Sequence, residues 1–498
     1  MKNNIAQLDQ KFVWHPFTQM KDWLRHEPIV IRSGQGAVLR DTRGRKYLDA
    51  NSSIWTNLHG HQNKKINAAL RRQLGKIAHS SALGLANEPA ALLAQKLVHT
   101  ANEKRPGISI AARQPRLEKV FFSDDGSTAV EVALKLAYEF ARRTGRSRQP
   151  KFISLDSAYH GDTIGAVSLG HIDLFHKNFA GLLFKSDKVA APYCYRCPHN
   201  RAKPARTDAR ESRKCNWECL DEFEQKFVAQ RKRSHPYAAF VVEPLMQGAA
   251  GMIPQPRGWL RRATEIVRGH GAQLIIDEVL TGFGRAGLPA ENSRREASKQ
   301  SSTLFACQHE EVRPDFLALA KGLTGGYLPM AATLTTREVF DAFLGEYEEF
   351  KTFFHGHSYS ANQLGSAAGL ASLEILRSTP SVRARRRLEE DLAAELATLW
   401  AFPNVGDVRQ VGLMAGVELV RDWKTRRSFD LRERAGIRVC EAMARRGVLT
   451  RPVGNVIVIM PPYCTTIAQL KKIFSVLRGA LQEIFGGAAR DAALLDRR

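Results

Sequence analysis

At 498 residues the chain is long enough for two or three domains, or for one large core with appendages. Its 44% hydrophobic and 25% charged residues describe an ordinary soluble globular protein, and no apolar run approaches the roughly 20 residues that span a bilayer. The net charge of +24 would suit nucleic acid or an anionic membrane, but the basic residues are scattered through 201–214, 294–299 and 383–387 without interleaved aromatics, so we read them as a solvated basic face. The N-terminal stretch MKNNIAQLDQKFVWHPF has no signal-peptide apolar segment, which makes the cytoplasm the expected compartment. Seven cysteines, an odd number, argue for reduced thiols rather than a disulfide framework.

Residues 11–24, KFVWHPFTQMKDWL, form an aromatic-rich entry segment that caps a core or lines a pocket. Asp41 to Gly44 is a hairpin turn signal between two short strands, and an amphipathic helix is expected from about Asn63. A helix over 90–100 and a basic, proline-bearing loop over 104–116 follow. Val120 to Phe122 is a short apolar strand that ends in Ser123, Asp124, Asp125, Gly126, Ser127 and Thr128. Ala129, Val130, Ala133, Leu134 and Ala137 then recur at helical spacing. Gly126 and Ser127 thus stand where a helix offers unpaired N–H groups, an anion site if the rest of the chain supports one and otherwise only a cap.

Strand and helix patterns keep alternating through KFISLDSAYHGDT, AAFVVEPLMQGAAG, AQLIIDEVLTGFGR and PDFLALAKGLTGGYLP. That alternation predicts a mostly parallel, doubly wound α/β sheet with its active edge at the strands' C-terminal ends. Tyr159, Glu243, Asp277 and Lys321 each follow one of those strands. The last third supplies a small-residue helix after FFHGHSYSAN, a basic helix over 382–399, further strands and a final helix from near Thr466, with residues 486–498 expected to fray.

The chemistry follows from Lys321. A lysine leaving the buried run Phe316 to Ala320 is desolvated, which frees a neutral amine for imine formation. Such a lysine needs an electron sink, and pyridoxal 5'-phosphate fits. Gly126 and Ser127 can cradle its phosphate, Asp277 can hold its ring nitrogen protonated, and Tyr159 can lie on the ring face. Lys321 would then be both the Schiff-base residue and the group that moves the proton.

Together SDDGSTAVEVALK, YHGDT, EPLMQGAAG, IIDEVLTGFGRAG, AKGLTGGYLP and HGHSYSAN resemble the class III aminotransferases of the type I pyridoxal-phosphate fold. The resemblance implies a small α+β domain built from residues 1–75 and 365–498 around a large cofactor domain, 76–364, with insertions near 198–214 and 288–303. It implies the roles just given for Lys321, Asp277, Tyr159, Gly126 and Ser127. It also implies a homodimer in which Gly356, His357 and Ser358 reach the phosphate in the neighbouring subunit. WHPFTQM, SSIWTNLHGH and RPVGNVIVIMPPY resemble the biotin-pathway members of the family, which aminate 8-amino-7-oxononanoate to 7,8-diaminononanoate. On that resemblance Arg451 binds the substrate carboxylate and Phe17, Ile54 and Trp55 wall the pocket. Phe17 and Ile54 stand where the best-known members carry tyrosine and tryptophan, and Ser358 where they carry threonine. These departures leave the amino donor open between S-adenosylmethionine and lysine. Another ω-aminotransferase, acting on a diamine or an ω-amino acid, is the alternative. Cys194, Cys197, Cys215 and Cys219 have close to zinc-ribbon spacing, which leaves a structural metal open.

Overall fold

A computed structural model describes residues 4–103, 114–287 and 303–495. The expected loop over 104–116 and the insertion over 288–303 fall almost wholly outside the described residues. The main sheet has seven strands in the order Leu117–Ser123, Ala331–Thr336, Phe316–Leu319, Gln273–Asp277, Tyr237–Val242, Lys151–Leu155, Asp187–Val189. Only Ala331–Thr336 runs against the rest, pairing antiparallel with both neighbours. The architecture is therefore the α/β, mostly parallel sheet that the alternating pattern predicts.

The central strands are near-continuous apolar runs because both faces are covered. Phe240, Val242, Leu274 and Ile276 point into the core that holds Phe223, Trp259 and Leu260, from helices Glu218–Lys232 and Trp259–Gly269. Their neighbours Ala239, Val241 and Ile275 face the opposite way, against Ala129, Val130, Ala133 and Phe140 of helix Gly126–Arg143. Alternate residues of one strand thus serve two layers, as the two-residue strand period requires.

A second sheet is built from both ends of the chain. Ile31–Gln35, Val38–Asp41 and Lys46–Asp49 pair antiparallel, and Val448–Leu449 joins Lys46–Asp49 in parallel. A third sheet carries Val405–Val411, Met414–Asp422, Val456–Ile459 and Pro452–Val453. The final helix runs Ile467–Leu495, so its backbone extends into the stretch from residue 486 that is expected to fray.

Parallel strands all present their carboxyl ends to one edge. Asp277 ends its strand, Glu243 follows Val242, and Lys321 comes two residues after Leu319. The stability of this edge rests on the core beneath it. Phe240 is fully buried with its ring 4.8 Å from that of Phe223. Phe240→Ala should cost about 3–5 kcal/mol of unfolding free energy, measured by denaturant titration.

Candidate active site

A cleft of about 1650 Å³ opens at the carboxyl edge of the main sheet and is shared with the N-terminal segment and the C-terminal strands. Phe17, Ile54, Trp55, Gly126, Ser127, Tyr159, Asp277, Lys321 and Arg451 all line it. Gly356, His357 and Ser358 do not line the cleft of their own chain; His357 Nε2 lies 3.4 Å from Asp124 Oδ1 instead.

Lys321 takes a φ of 39° as the chain leaves Phe316–Leu319, and its Nζ sits 4.7 Å from the centre of the Trp55 ring. Burial lowers its pKa to about 8, with Asp277 and Glu243 pulling the other way. A neutral amine is thus accessible near physiological pH. Asp277 is anchored on both carboxylate oxygens: Oδ2 accepts from His160 Nδ1 at 2.8 Å and Oδ1 from the Val279 amide at 3.0 Å. Burial works against the charge on His160, but the Asp277 carboxylate outweighs it and holds the imidazole above its ordinary pKa. Glu243, pushed up to about 7 by burial, accepts from the Tyr159 amide at 3.3 Å and the Gly248 amide at 2.9 Å. It ties the aromatic residue to the next strand end.

The Tyr159 hydroxyl donates to Asp162 Oδ2 at 2.8 Å, and its ring stacks at 10° and 6.2 Å on His176. Phe175 meets Tyr159 and Phe17 edge-on, at 6.2 and 5.3 Å, which links the entry segment to the site. Arg451 donates from Nη2 to the Phe17 carbonyl, so the residue expected to hold a carboxylate also fastens that segment.

The start of helix Gly126–Arg143 has the form of an anion cup. Asp125 caps the Thr128 amide at 2.9 Å, and Gly126 and Ser127, the first two residues of the helix, line the cleft. Bare backbone is required there: a Cβ on Gly126 would come within 2.6 Å of Val279, and one on Gly161, at φ +120°, within 2.4 Å of Ser127. Ser127 Oγ is fixed by the Thr163 hydroxyl at 2.8 Å and the Thr163 amide at 2.9 Å. An anion cup, a half-buried lysine, an anchored carboxylate and an aromatic face in one cleft fit pyridoxal phosphate.

The Aminotransferase class-III family model matches residues 20–481. The chain belongs to the class-III aminotransferases. It is 45% identical over 479 residues to the adenosylmethionine-8-amino-7-oxononanoate aminotransferase of Geobacter sulfurreducens, covering 96% of this chain and 97% of that one. The enzyme of that name from Methanocaldococcus jannaschii is 40% identical over 486 residues, 97% of this chain and 98% of that one. Its crystal structure superposes with a TM-score of 0.84 over 97% of this chain and all of that one, at 38% identity. An amine transaminase from an uncultivated Pseudomonas species superposes at 0.82, with 30% identity, over 95% of this chain and 99% of that one.

Sequence reasoning named Glu243 only as a strand end and passed over His160, whose signal was adjacency to Tyr159 in YHGDT. It also passed over the cap Asp125. All seven cysteines are free. Burial pushes the Cys194 thiol up to about 12 and Cys219 up to about 11. Among the described residues no three histidine, cysteine or acidic side chains are placed to share a metal ion. Residues 198–214 are tied down by arginines instead: Arg206 Nη1 donates to the carbonyls of Phe402 and Val405, and Arg210 Nη2 to that of Gln410.

Desolvating the Lys321 amine has a measurable cost. Its folded pKa of about 8 lies below the ordinary 10.5, so below pH 8 the folded apoprotein carries a desolvated ammonium that the unfolded chain solvates freely. Lys321→Met should therefore stabilise the cofactor-free protein by about 3 kcal/mol at pH 7. The gain should shrink as pH rises from 8 towards 10.5, checked by denaturant unfolding across that range.

Proposed function

We propose that this chain aminates 8-amino-7-oxononanoate to 7,8-diaminononanoate, using pyridoxal 5'-phosphate and an amino donor that is S-adenosylmethionine or lysine. The observation that carries the reading is that relatives bearing that acceptor in their names match at 40–45% identity over at least 96% of this chain. The cleft supports it, since the entry segment, the Trp55 turn and Arg451 converge on Lys321.

Pyridoxal phosphate supplies the electron sink that stabilises negative charge at the carbon losing its proton. Gly126 and Ser127 would hold its phosphate, Asp277 its ring nitrogen, Tyr159 its ring face and Lys321 its aldehyde carbon. His160 would hold Asp277 correctly turned through the 2.8 Å bond to Oδ2. Lys321 Nζ, desolvated and near neutrality, takes the substrate proton and returns it. Arg451 would pair with the carboxylate of 8-amino-7-oxononanoate through its guanidinium fork, while Phe17, Ile54 and Trp55 exclude water from the apolar chain.

The working unit is a homodimer in the cytoplasm. Gly356, His357 and Ser358 lie outside their own cleft, as residues serving a neighbour's phosphate would. Around them Tyr347, Phe350, Phe354 and Tyr359 are between 61% and 86% exposed, an aromatic surface that a second copy would cover.

Mixing cofactor-loaded protein with each donor in turn should bleach the visible cofactor band with one of them, and adding 8-amino-7-oxononanoate should restore it. Bleaching by other ω-amines alone would replace this substrate with a different ω-aminotransferase reaction. Arg451→Met should raise KM for 8-amino-7-oxononanoate by about 10- to 100-fold with little change in the donor-driven bleaching. Homodimers of Lys321→Ala and of Gly356→Trp, each inactive alone, should recover activity after subunit exchange. A shared site leaves one intact copy in the mixed dimer.

A further inference from the structure

Four consecutive residues that are not glycine, Ser52, Ser53, Ile54 and Trp55, take φ of 48°, 48°, 60° and 70°. L-residues avoid this left-handed region because Cβ crowds the carbonyl, and β-branched Ile54 is the worst suited of the four. Single residues of this kind are ordinary in turns. A run of four persists only where neighbouring groups over-determine it.

Backbone bonds from the Trp55 amide to the Asn51 carbonyl at 2.9 Å and from the Thr56 amide to the Ser52 carbonyl at 3.0 Å hold part of the run, and the side chain that adds most to them is Asp49. Its Oδ1 accepts from the amides of Asn51 and Ser53, both at 3.1 Å, and its Oδ2 from the Ser53 hydroxyl at 2.9 Å. His61 Nε2 lies 3.7 Å from Oδ2, and the carboxylate is 4% exposed. Burial alone would raise its pKa, but the nearby His61 and the bonds from Ser53 and Asn51 prevail and hold it below the ordinary value. Ser52 adds a second fastening, its hydroxyl donating to the Met460 carbonyl at 2.6 Å.

Asp49 does not line the cleft, but what it fastens does. Asn51, Ile54 and Trp55 form cleft wall, and the Trp55 ring lies under Lys321 Nζ. Two buried polar atoms of this turn, Asn51 Oδ1 and Trp55 Nε1, have no hydrogen-bond partner. An orphaned acceptor and an orphaned donor on one cleft wall, held at the expense of backbone strain, have the form of a surface kept ready for a ligand.

We propose that Asp49 is a positioning residue for amino transfer: its carboxylate clamps the Ser52–Trp55 turn in the left-handed form and so sets Trp55 and Ile54 against the substrate beside Lys321. Without the clamp the turn relaxes towards ordinary backbone angles, which swings both side chains away from the lysine. This rests on the proposed reaction for its substrate, and the test separates the two.

The test compares cofactor-loaded wild type with Asp49→Asn, Asp49→Ala and Asp49→Ala/Ser53→Gly, following steady-state kinetics together with the visible cofactor band. Asp49→Ala should keep the band and raise KM for 8-amino-7-oxononanoate about tenfold or more, with a smaller change in kcat. Asp49→Asn, whose amide oxygen can still accept, should stay close to wild type. Ser53→Gly should rescue much of the loss in the double variant, because glycine enters the left-handed region without steric cost. If Asp49→Ala does not fold, Ser53→Ala removes only the hydroxyl bond and should raise KM about threefold. An unchanged KM in Asp49→Ala overturns the proposal; so does a loss that merely tracks the cofactor band, or a double variant no better than the single one. Should wild type not use 8-amino-7-oxononanoate at all, the substrate reading falls, and the same comparison is made on the concentration of 1-phenylethylamine that half-saturates bleaching of the band.

Discussion

Lys321 is half-buried at the carboxyl edge of the parallel sheet, with Asp277 and Glu243 as its compensating charges, and the rest of the cleft is arranged around that desolvated amine. Burial alone would make the lysine a liability. The two carboxylates moderate it, and each is itself secured: Asp277 by His160 and the Val279 amide, Glu243 by the Tyr159 and Gly248 amides. A chain of buried groups from four strand ends therefore holds one nitrogen between its charged and neutral forms. That state suits the proposed proton transfer and costs stability, as sites built for chemistry commonly do.

The walls of the cleft come from parts of the chain far apart in sequence. Arg451 fastens the entry segment at Phe17, Phe175 bridges Phe17 to Tyr159, and the Ser52 hydroxyl reaches the Met460 carbonyl. The parallel pairing of Val448–Leu449 with Lys46–Asp49 brings these ends together. Pocket shape is thus coupled to the packing of the terminal sheet, while the reacting groups belong to the main sheet.

The large positive charge has a partly internal explanation. Several arginines are used as donors to backbone carbonyls, which need no acidic partner: Arg206 to Phe402 and Val405, Arg285 to Pro461, Arg313 to Asn102, Arg385 to Leu376. Each satisfies carbonyls at loop and helix ends that would otherwise depend on water. Among the described residues no helix is long and apolar enough to cross a membrane.

Sequence alone determined the alternating strand and helix order, the parallel sheet and its active edge, because continuous apolar runs and helical periodicity are local consequences of burial on two faces. The same local logic singled out Lys321, Asp277, Tyr159 and the Gly126–Ser127 helix start, since each follows a recognisable strand. Only the tertiary structure decided the rest. His160 gains its role from meeting Asp277, 117 residues away, and Glu243 from the amides it accepts. The left-handed run at Ser52–Trp55 carries no glycine to announce it, so its conformation is imposed by Asp49 and Met460 rather than by propensity. The four spaced cysteines show the converse, a ribbon-like pattern in which burial raises the thiol pKa of Cys194, Cys197 and Cys219. Spacing along a chain reports what residues could reach, whereas charge state and strain depend on what finally surrounds them.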